Sequence, residues 1–157
     1  MKNIKFIYLA LILFLGLIRP LQAKELSLAP DFRLKDMQEN TVVLSSYRDK
    51  SPVFLFFWAT WCPFCRDELK NLNSRYRELL RDNVEVLAVD IGESLPTVER
   101  FISNYALVFK VLLDRDSQAA YSYNIVGVPT FILIDKKGRI VFQDHRFPQE
   151  YKKLLLE

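Results

Sequence analysis

Between positions 28 and 157, the hydrophobic and polar residues follow strand-like and helix-like periods in turn. Residues 52–58 form a continuous apolar run that is too short for a buried helix, so it predicts a central strand covered on both faces. Residues 64–81 carry apolar side chains at helical spacing among charged ones, at Leu69, Leu72, Tyr76, Leu79 and Leu80. The pattern therefore predicts a strand that is followed directly by a long amphipathic helix.

The flanking segments continue this alternation through the chain. The weak alternation of residues 28–40 and the apolar positions 41–44 predict a short edge hairpin. Further strands are predicted at 84–89, 110–113, 130–134 and 139–142, and helices at 96–105, 118–123 and 148–156. Because no repeat, low-complexity linker or second boundary interrupts the pattern, residues 24–157 are predicted to form one domain.

The N-terminal segment has a different composition. Residues 1–5 include two lysines, residues 6–18 are 13 residues without a charge, and residues 19–23 end in a small residue. This order is typical of a secretory signal peptide at 1–23. The uncharged run is shorter than the roughly 20 residues of a membrane-spanning helix. Leu21 nevertheless fits a cleavage site poorly, so an uncleaved anchor and membrane tether through residues 4–18 is the alternative.

The charge of the chain excludes one class of partner. The formal net charge is +3, but residues 1–23 hold three basic residues and no acid, which leaves 19 basic and 19 acidic residues in the domain. The remaining Lys and Arg residues are scattered, whereas a nucleic-acid binder concentrates them. We therefore expect no nucleic-acid partner.

The two cysteines of the chain lie between the strand at 52–58 and the helix at 64–81, at Cys62 and Cys65. Cysteines at this spacing on a helix N-terminus can close a disulfide, and the first of them faces out of the turn. The positive end of the helix stabilises a thiolate there and lowers its pKa below that of a free thiol. We expect Cys62 to attack a target disulfide and the more buried Cys65 to resolve the mixed disulfide.

Metal ligation and a structural disulfide are the alternatives for this cysteine pair. A closed zinc site needs four ligands, and beyond the cysteines the chain has a single histidine, His145. A structural disulfide that closes so small a loop would constrain the unfolded chain little. We therefore favour redox chemistry, expect no metal site, and leave His145 outside the predicted site.

Three separated motifs resemble the TlpA/ResA branch of the thioredoxin superfamily. They are residues 29–32 (Ala-Pro-Asp-Phe), residues 57–65 around the cysteines, and residues 126–130 (Val-Gly-Val-Pro-Thr). The resemblance implies an α/β, thioredoxin-like fold, with a central mixed sheet of four or five strands flanked by helices. It also implies an N-terminal β-hairpin and a strand-helix insert at about 91–113.

The resemblance also implies roles for further residues. Pro129 matches a cis-proline whose turn lies against the cysteines, and Val128 would present its backbone to an extended substrate. Phe56 replaces the buried aspartate of thioredoxins, whereas Glu68 matches the glutamate that relatives in this branch place near the second cysteine to move a proton. The tryptophan beside the disulfide and the two residues between the cysteines complete the expected substrate surface: Trp61, Pro63 and Phe64.

These residues predict an exported thiol-disulfide oxidoreductase that needs no diffusible cofactor. By resemblance it reduces disulfides of exported proteins, including those of cytochrome c maturation, with electrons from a membrane thiol donor. The expected location is the periplasm or another extracytoplasmic compartment, with or without an inner-membrane anchor. The alternatives are a disulfide oxidase or isomerase, a thiol peroxidase and a metal-binding chaperone. For a peroxidase, Ala59 and Leu55 stand where a threonine and a proline would be expected.

Overall fold

The computed structural model describes residues 26–156. Seven strands are present in this part of the chain: β1 Arg33–Asp36, β2 Thr41–Val43, β3 Val53–Trp58, β4 Glu85–Ile91, β5 Lys110–Asp114, β6 Thr130–Ile134 and β7 Ile140–Asp144. The α-helices are α1 Pro63–Arg81, α2 Leu95–Ile102, α3 Gln118–Ser122 and α4 Tyr151–Leu154, and a 3-10 helix spans Leu44–Tyr47. The predicted alternation of strands and helices is confirmed.

The strands form one mixed sheet in the order β2-β1-β5-β4-β3-β6-β7. β3 pairs in parallel with β4, which pairs in parallel with β5, while β6 and β7 add antiparallel strands on the other side of β3. All six residues of β3 are buried, as expected for a strand with neighbours on both edges and layers on both faces. The predicted central strand is therefore confirmed.

Alternate residues of β3 enter two separate cores. Phe54, Phe56 and Trp58 face the layer built by α1 and α2, which also contains the two cysteines. Val53, Leu55 and Phe57 face the opposite layer, which α3 and the N-terminal segment cover. The strand period of two thus separates a face that carries the cysteines from a face that carries none.

The sheet is larger than the resemblance implied. It has seven strands rather than four or five, because hairpin β1–β2 pairs with β5 through β1 and extends the sheet. The hairpin therefore lies at one edge of the sheet, as predicted, with β2 as its outer strand and β1 paired to β5. In the turn Glu39 has a positive φ of 62°, and Asp36 Oδ1 accepts from the Gln38 and Asn40 amides.

The predicted insert at 91–113 contains α2 and β5. The predicted helices at 96–105 and 148–156 are shorter in the structure, where they span Leu95–Ile102 and Tyr151–Leu154. In α2, Pro96 stands in the first turn, where its missing amide proton is not needed. The segment at 148–156 packs on the core through buried Pro148 and Tyr151, but only its central turn is α-helical.

The predicted signal peptide at 1–23 lies outside the described residues and stays a prediction. No helix between residues 26 and 156 is long and apolar enough to cross a membrane.

Candidate active site

The turn between β3 and α1 positions the two cysteines. Cys62 is the N-cap residue of α1, and its Sγ accepts a hydrogen bond of 3.1 Å from the Cys65 amide. Pro63 follows in the first helical turn, where its fixed φ favours the helix. Cys62 and Cys65 form a disulfide, with their Cα atoms 5.3 Å apart. The predicted pairing is present, on the predicted strand-to-helix turn.

Cys62 is more enclosed than the sequence predicted. Cys65 is fully buried, and Cys62 is only 3% exposed although its position faces out of the turn. Cys62 Sγ lies 3.6 Å from the carbonyl oxygen of Val128, which packs over it from another part of the chain. A disulfide sulfur has no proton to donate, so this approach is a packing contact. The expectation of an accessible Cys62 is therefore wrong for the disulfide form.

The loop that covers Cys62 contains the predicted cis-proline. The Val128–Pro129 peptide bond is cis, and both residues are half-buried. Thr130 begins β6 directly after the loop and donates a hydrogen bond of 2.7 Å to the Gly127 carbonyl. The loop is thus closed on itself beside the disulfide.

His145, which the sequence analysis left outside the site, contacts this loop. Its Nδ1 lies 2.8 Å from the Pro129 carbonyl oxygen and 3.2 Å from Thr130 Oγ1. Because a carbonyl oxygen only accepts, Nδ1 is the donor in this arrangement. Beside it, a pocket of about 240 Å³ opens between Val126, Thr130 and His145. Only the pairing of β6 with β7 brings His145 here, so its position in the sequence carried no signal.

A second side chain holds the turn before the cysteines. The Glu93 carboxylate accepts from both the amide and the hydroxyl group of Thr60, each at 2.6 Å. Thr60 stands two residues before Cys62, whereas Glu93 follows β4. Since β3 and β4 are parallel neighbours, their carboxyl ends meet at one edge of the sheet. Glu93 therefore fixes the backbone from which the cysteines project, a role that the sequence analysis missed.

Exposed side chains surround the cysteine turn. Trp61 and Phe64, which flank the cysteine turn, are 68% and 74% exposed, and Pro63 is exposed as well. Val126, in the cis-proline loop, is 92% exposed. Large apolar side chains that remain in water around a reactive group are typical of a surface that binds a partner.

The model of the AhpC/TSA family matches residues 27–143 of this chain. The chain belongs to the AhpC/TSA family. The thiol-disulfide oxidoreductase ResA of Geobacillus kaustophilus is 42% identical over 114 residues, which are 73% of this chain and 65% of that protein. ResA of Bacillus subtilis is 38% identical over 113 residues, 72% of this chain and 63% of that protein.

A solved structure agrees with the thioredoxin-like fold. The thioredoxin domain of a thiol-disulfide oxidoreductase from Bacteroides vulgatus matches with a TM-score of 0.74 at 25% identity, over 82% of this chain and 96% of that chain. The thioredoxin-like fold and the resemblance to ResA are thus confirmed. The aligned part of this AhpC/TSA chain covers less than two thirds of either ResA protein.

The glutamate that the resemblance singled out occupies a less enclosed place than expected. Glu68 lies one turn after Cys65 on α1 and is half-buried. Within residues 26–156 no hydrogen bond or ion pair of its side chain is present. Its role in moving the proton of Cys65 therefore stays a prediction.

An acid that the sequence analysis did not single out lies in the core instead. Asp90 in β4 is fully buried, and neither carboxylate oxygen has a hydrogen-bond partner in the described part of the chain. Burial and the neighbouring Glu93 carboxylate raise the pKa of Asp90 to about 8. Its signal in the sequence was the alternation of Val86, Ala88 and Asp90, which places an acid on an otherwise apolar face.

Between residues 26 and 156 no group of three or more His, Cys, Asp or Glu side chains converges on one point. His145 is engaged with the cis-proline loop.

Proposed function

We propose that this protein is an exported thiol-disulfide oxidoreductase that reduces disulfides in other proteins through Cys62 and Cys65. The observation that carries the proposal is the cysteine pair itself, at the start of α1 and against the cis-proline loop. A disulfide that served only stability would need neither this loop nor an apolar rim in water. The names of the two ResA relatives support the same reaction class.

The reaction starts from the reduced protein. The Cys62 thiolate, stabilised by the amides and the positive end of the 19-residue helix α1, attacks one sulfur of a target disulfide. The target disulfide breaks, a mixed disulfide with Cys62 forms, and the first target thiolate leaves. Cys65 loses its proton and attacks Cys62 Sγ, which forms the Cys62–Cys65 bond and releases the second target thiolate. Two electrons pass from the protein to the target.

The substrate surface combines the cysteine turn with the cis-proline loop. We expect an extended target segment to lie along the Val128 backbone, between the exposed Trp61 and Phe64 on one side and Val126 on the other. The apolar rim would remove water from the exchanging sulfurs, and Pro63 and Pro129 would keep both walls rigid. Specificity would come from these side chains and from the pocket beside His145.

The cellular setting belongs to the same proposal. Residues 1–23 would direct the protein to the periplasm or an equivalent extracytoplasmic compartment, either cleaved or kept as an inner-membrane anchor. There the domain would receive electrons from a membrane thiol donor and reduce exported proteins, cytochrome c precursors among them.

Trapping of mixed disulfides tests this function. A Cys65→Ser variant keeps the attacking thiol and lacks the resolving one, so it should accumulate disulfide-linked partners in the extracytoplasmic fraction. The matched control is Cys62→Ser, which should trap far less. If the two variants trap the same species, or none, the protein does not act by this cycle.

The direction of electron flow needs a separate measurement. Reduction potentials of related dithiols run from about −270 mV for thioredoxin to about −120 mV for DsbA. Equilibration of the protein with glutathione should place it near the reducing end. A value near that of DsbA would favour the oxidase or isomerase alternative, and stoichiometric consumption of hydrogen peroxide by the reduced protein would favour the peroxidase.

A further inference from the structure

A buried polar group lies in the core layer that holds the cysteines. Asp90 is fully buried, and both of its carboxylate oxygens lack a hydrogen-bond partner in the described residues. Trp58 is its parallel register partner in β3, and the Trp58 Nε1 atom also lacks a partner there. Three unsatisfied polar atoms thus belong to two adjacent residues of the central strands.

The alternation of β4 places Asp90 on the same sheet face as Val86 and Ala88. These residues belong to the cluster that includes Trp58, Cys62 and Cys65. Helix α1 packs on β4 in this layer, and Leu113 of β5 flanks Asp90 on the far side. Asp90 therefore lies beneath the helix that carries the fully buried Cys65.

The other buried carboxylates have evident structural partners. Asp114 accepts from the Ala119 and Ala120 amides at the start of α3, at 3.1 and 2.8 Å. Asp135 pairs with Arg139, and Asp36 holds the β1–β2 turn. An unpaired buried acid costs folding free energy and contributes no contact in return. Asp90 is the buried acid without such a partner within residues 26–156, and it lies in the core layer that holds the redox pair.

We infer that Asp90 is the proton acceptor for Cys65 when the mixed disulfide is resolved. The inference rests on the proposed function and names the group that the mechanism lacks. In the step, the proton passes from Cys65 Sγ to the Asp90 carboxylate, and the resulting thiolate attacks Cys62 Sγ. The Cys62–Cys65 bond forms, the bond from Cys62 to the target breaks, and Asp90 leaves the step as a neutral acid that returns its proton to the released thiolate or to solvent.

The surroundings of Asp90 suit such an exchange. The charged neighbours are acids: Glu93 at the end of β4 and, more weakly, Asp114 of β5. Helix α2 contributes Val98 and Phe101 to the layer, and Arg66 of α1 lies over the Phe101 ring, 5.6 Å from its centroid, without bonding Asp90. Burial and the two acids raise the pKa of Asp90 to about 8. This is close to the pKa of an ordinary thiol, so proton transfer between the two groups is nearly balanced.

Single-turnover kinetics over pH 5–10 tests the inference. The reduced protein is mixed with a peptide disulfide, and the rate of mixed-disulfide resolution is followed for the wild type, Asp90→Asn and Glu68→Gln. We expect Asp90→Asn to slow resolution about 100-fold near pH 7, because a general base contributes factors of this order. The loss should shrink towards pH 10, where hydroxide removes the Cys65 proton. A purely structural defect would not vary with pH in this way.

Glu68→Gln tests the competing assignment, since it neutralises the half-buried acid of α1 that the resemblance singled out. If Glu68→Gln slows mixed-disulfide resolution while Asp90→Asn keeps the wild-type pH profile of the rate, Glu68 accepts the proton and the inference is overturned. Circular dichroism checks the fold of both variants, and Asp90→Ser serves as a second neutral replacement.

A titration separates failure of this inference from failure of the proposed function. If the wild type does not react with disulfides, the function is wrong, but the thiolate absorbance of the reduced protein still reports on Asp90. Loss of the Asp90 charge should lower the pKa of the Cys65 thiol, and in the unmutated protein the Asp90 carboxyl signal in 13C NMR should titrate differently in the oxidised and reduced forms. Unchanged thiol and carboxyl titrations would show that the two groups do not interact.

Discussion

At the scale of single residues, two buried aspartates differ in whether hydrogen bonds offset the free-energy cost of burying a carboxylate. Asp114 receives two amide hydrogen bonds from α3, whereas Asp90 receives none within residues 26–156. Burial is the largest cause of the raised pKa of both groups. The two hydrogen bonds of Asp114 offset the cost of burying its carboxylate, whereas the unpaired carboxylate of Asp90 lowers the free energy of unfolding.

The raised pKa of Asp90 should make the free energy of unfolding depend on pH. The pKa of Asp90 rises from 3.8 in the unfolded chain to about 8 in the folded protein, so the folded state holds the proton more tightly. The free energy of unfolding of the wild type is therefore unaffected by Asp90 ionisation below about pH 4, and it falls by several kcal/mol as pH rises towards 8. Asp90→Asn lacks this loss, so its advantage in urea unfolding over the wild type should grow from pH 5 to pH 8. Parallel stability profiles would contradict the assigned titration.

Another residue-scale prediction concerns His145. The imidazole donates to the Pro129 carbonyl, and a hydrogen bond of this kind contributes about 1 kcal/mol. His145→Ala should therefore lower kcat/KM for protein disulfide reduction about fivefold, mainly through a higher KM, because the loop that we propose as the substrate-binding wall becomes less ordered. The exposed neighbour is the control: Arg146→Ala should stay within twofold of the wild type. Equal effects of the two substitutions would remove His145 from the site.

At the scale of elements, α1 joins the packing of the core to the chemistry of the site. One face of the helix buries Cys65, Leu69, Leu72 and Leu79 against the sheet, while its N-terminus holds Cys62. Any rotation of the helix about its axis would therefore move both the core contacts and the sulfurs. The three buried leucines therefore tie the position of the cysteines to the packing of the core.

Two adjacent leucines provide a matched test of this packing. Leu79 is fully buried, and Leu80 is 48% exposed on the same helix. Leu79→Ala should lower the free energy of unfolding by about 2–5 kcal/mol, because it removes apolar contacts and leaves a cavity. Leu80→Ala should cost less than about 1 kcal/mol. Denaturant unfolding of both variants measures the difference, and similar losses would mean that α1 does not pack as described.

At the scale of the whole molecule, residues 1–23 carry a formal charge of +3 and residues 24–157 a formal charge of zero. A domain without net charge has no long-range attraction for polyanions. Its partners would then be selected by the apolar rim around the disulfide and by reversible sulfur exchange.

Export is the prediction that belongs to this scale. Residues 1–30 fused to a reporter phosphatase that is active only outside the cytoplasm should produce activity in cells. Leu13→Arg, which puts a charge into the uncharged run at 6–18, should abolish that activity. A reporter that stays inactive with the natural segment would place the protein in the cytoplasm and remove the exported substrates from the proposal.

Local patterns predicted most of the elements and part of the site. The apolar run of β3, the helical spacing of α1 and the cysteines between them depend on neighbours in the sequence, so periodicity was sufficient. Element ends were less certain, as the shorter α2 and α4 show. Glu93 and His145 could not be assigned, because each meets its partner only after strands distant in sequence pair with one another.

The sequence by itself determined the order of strands and helices, the cysteine pair on a strand-to-helix turn, and the resemblance that names Pro129. These are properties of short segments, whose periods and motifs can be seen without the fold. The tertiary structure alone decided that Val128 encloses Cys62, that His145 supports the loop, and that Asp90 is an unpaired acid beneath α1. Burial and the absence of a partner depend on every neighbour in space, and only the packed sheet and helices define those neighbours.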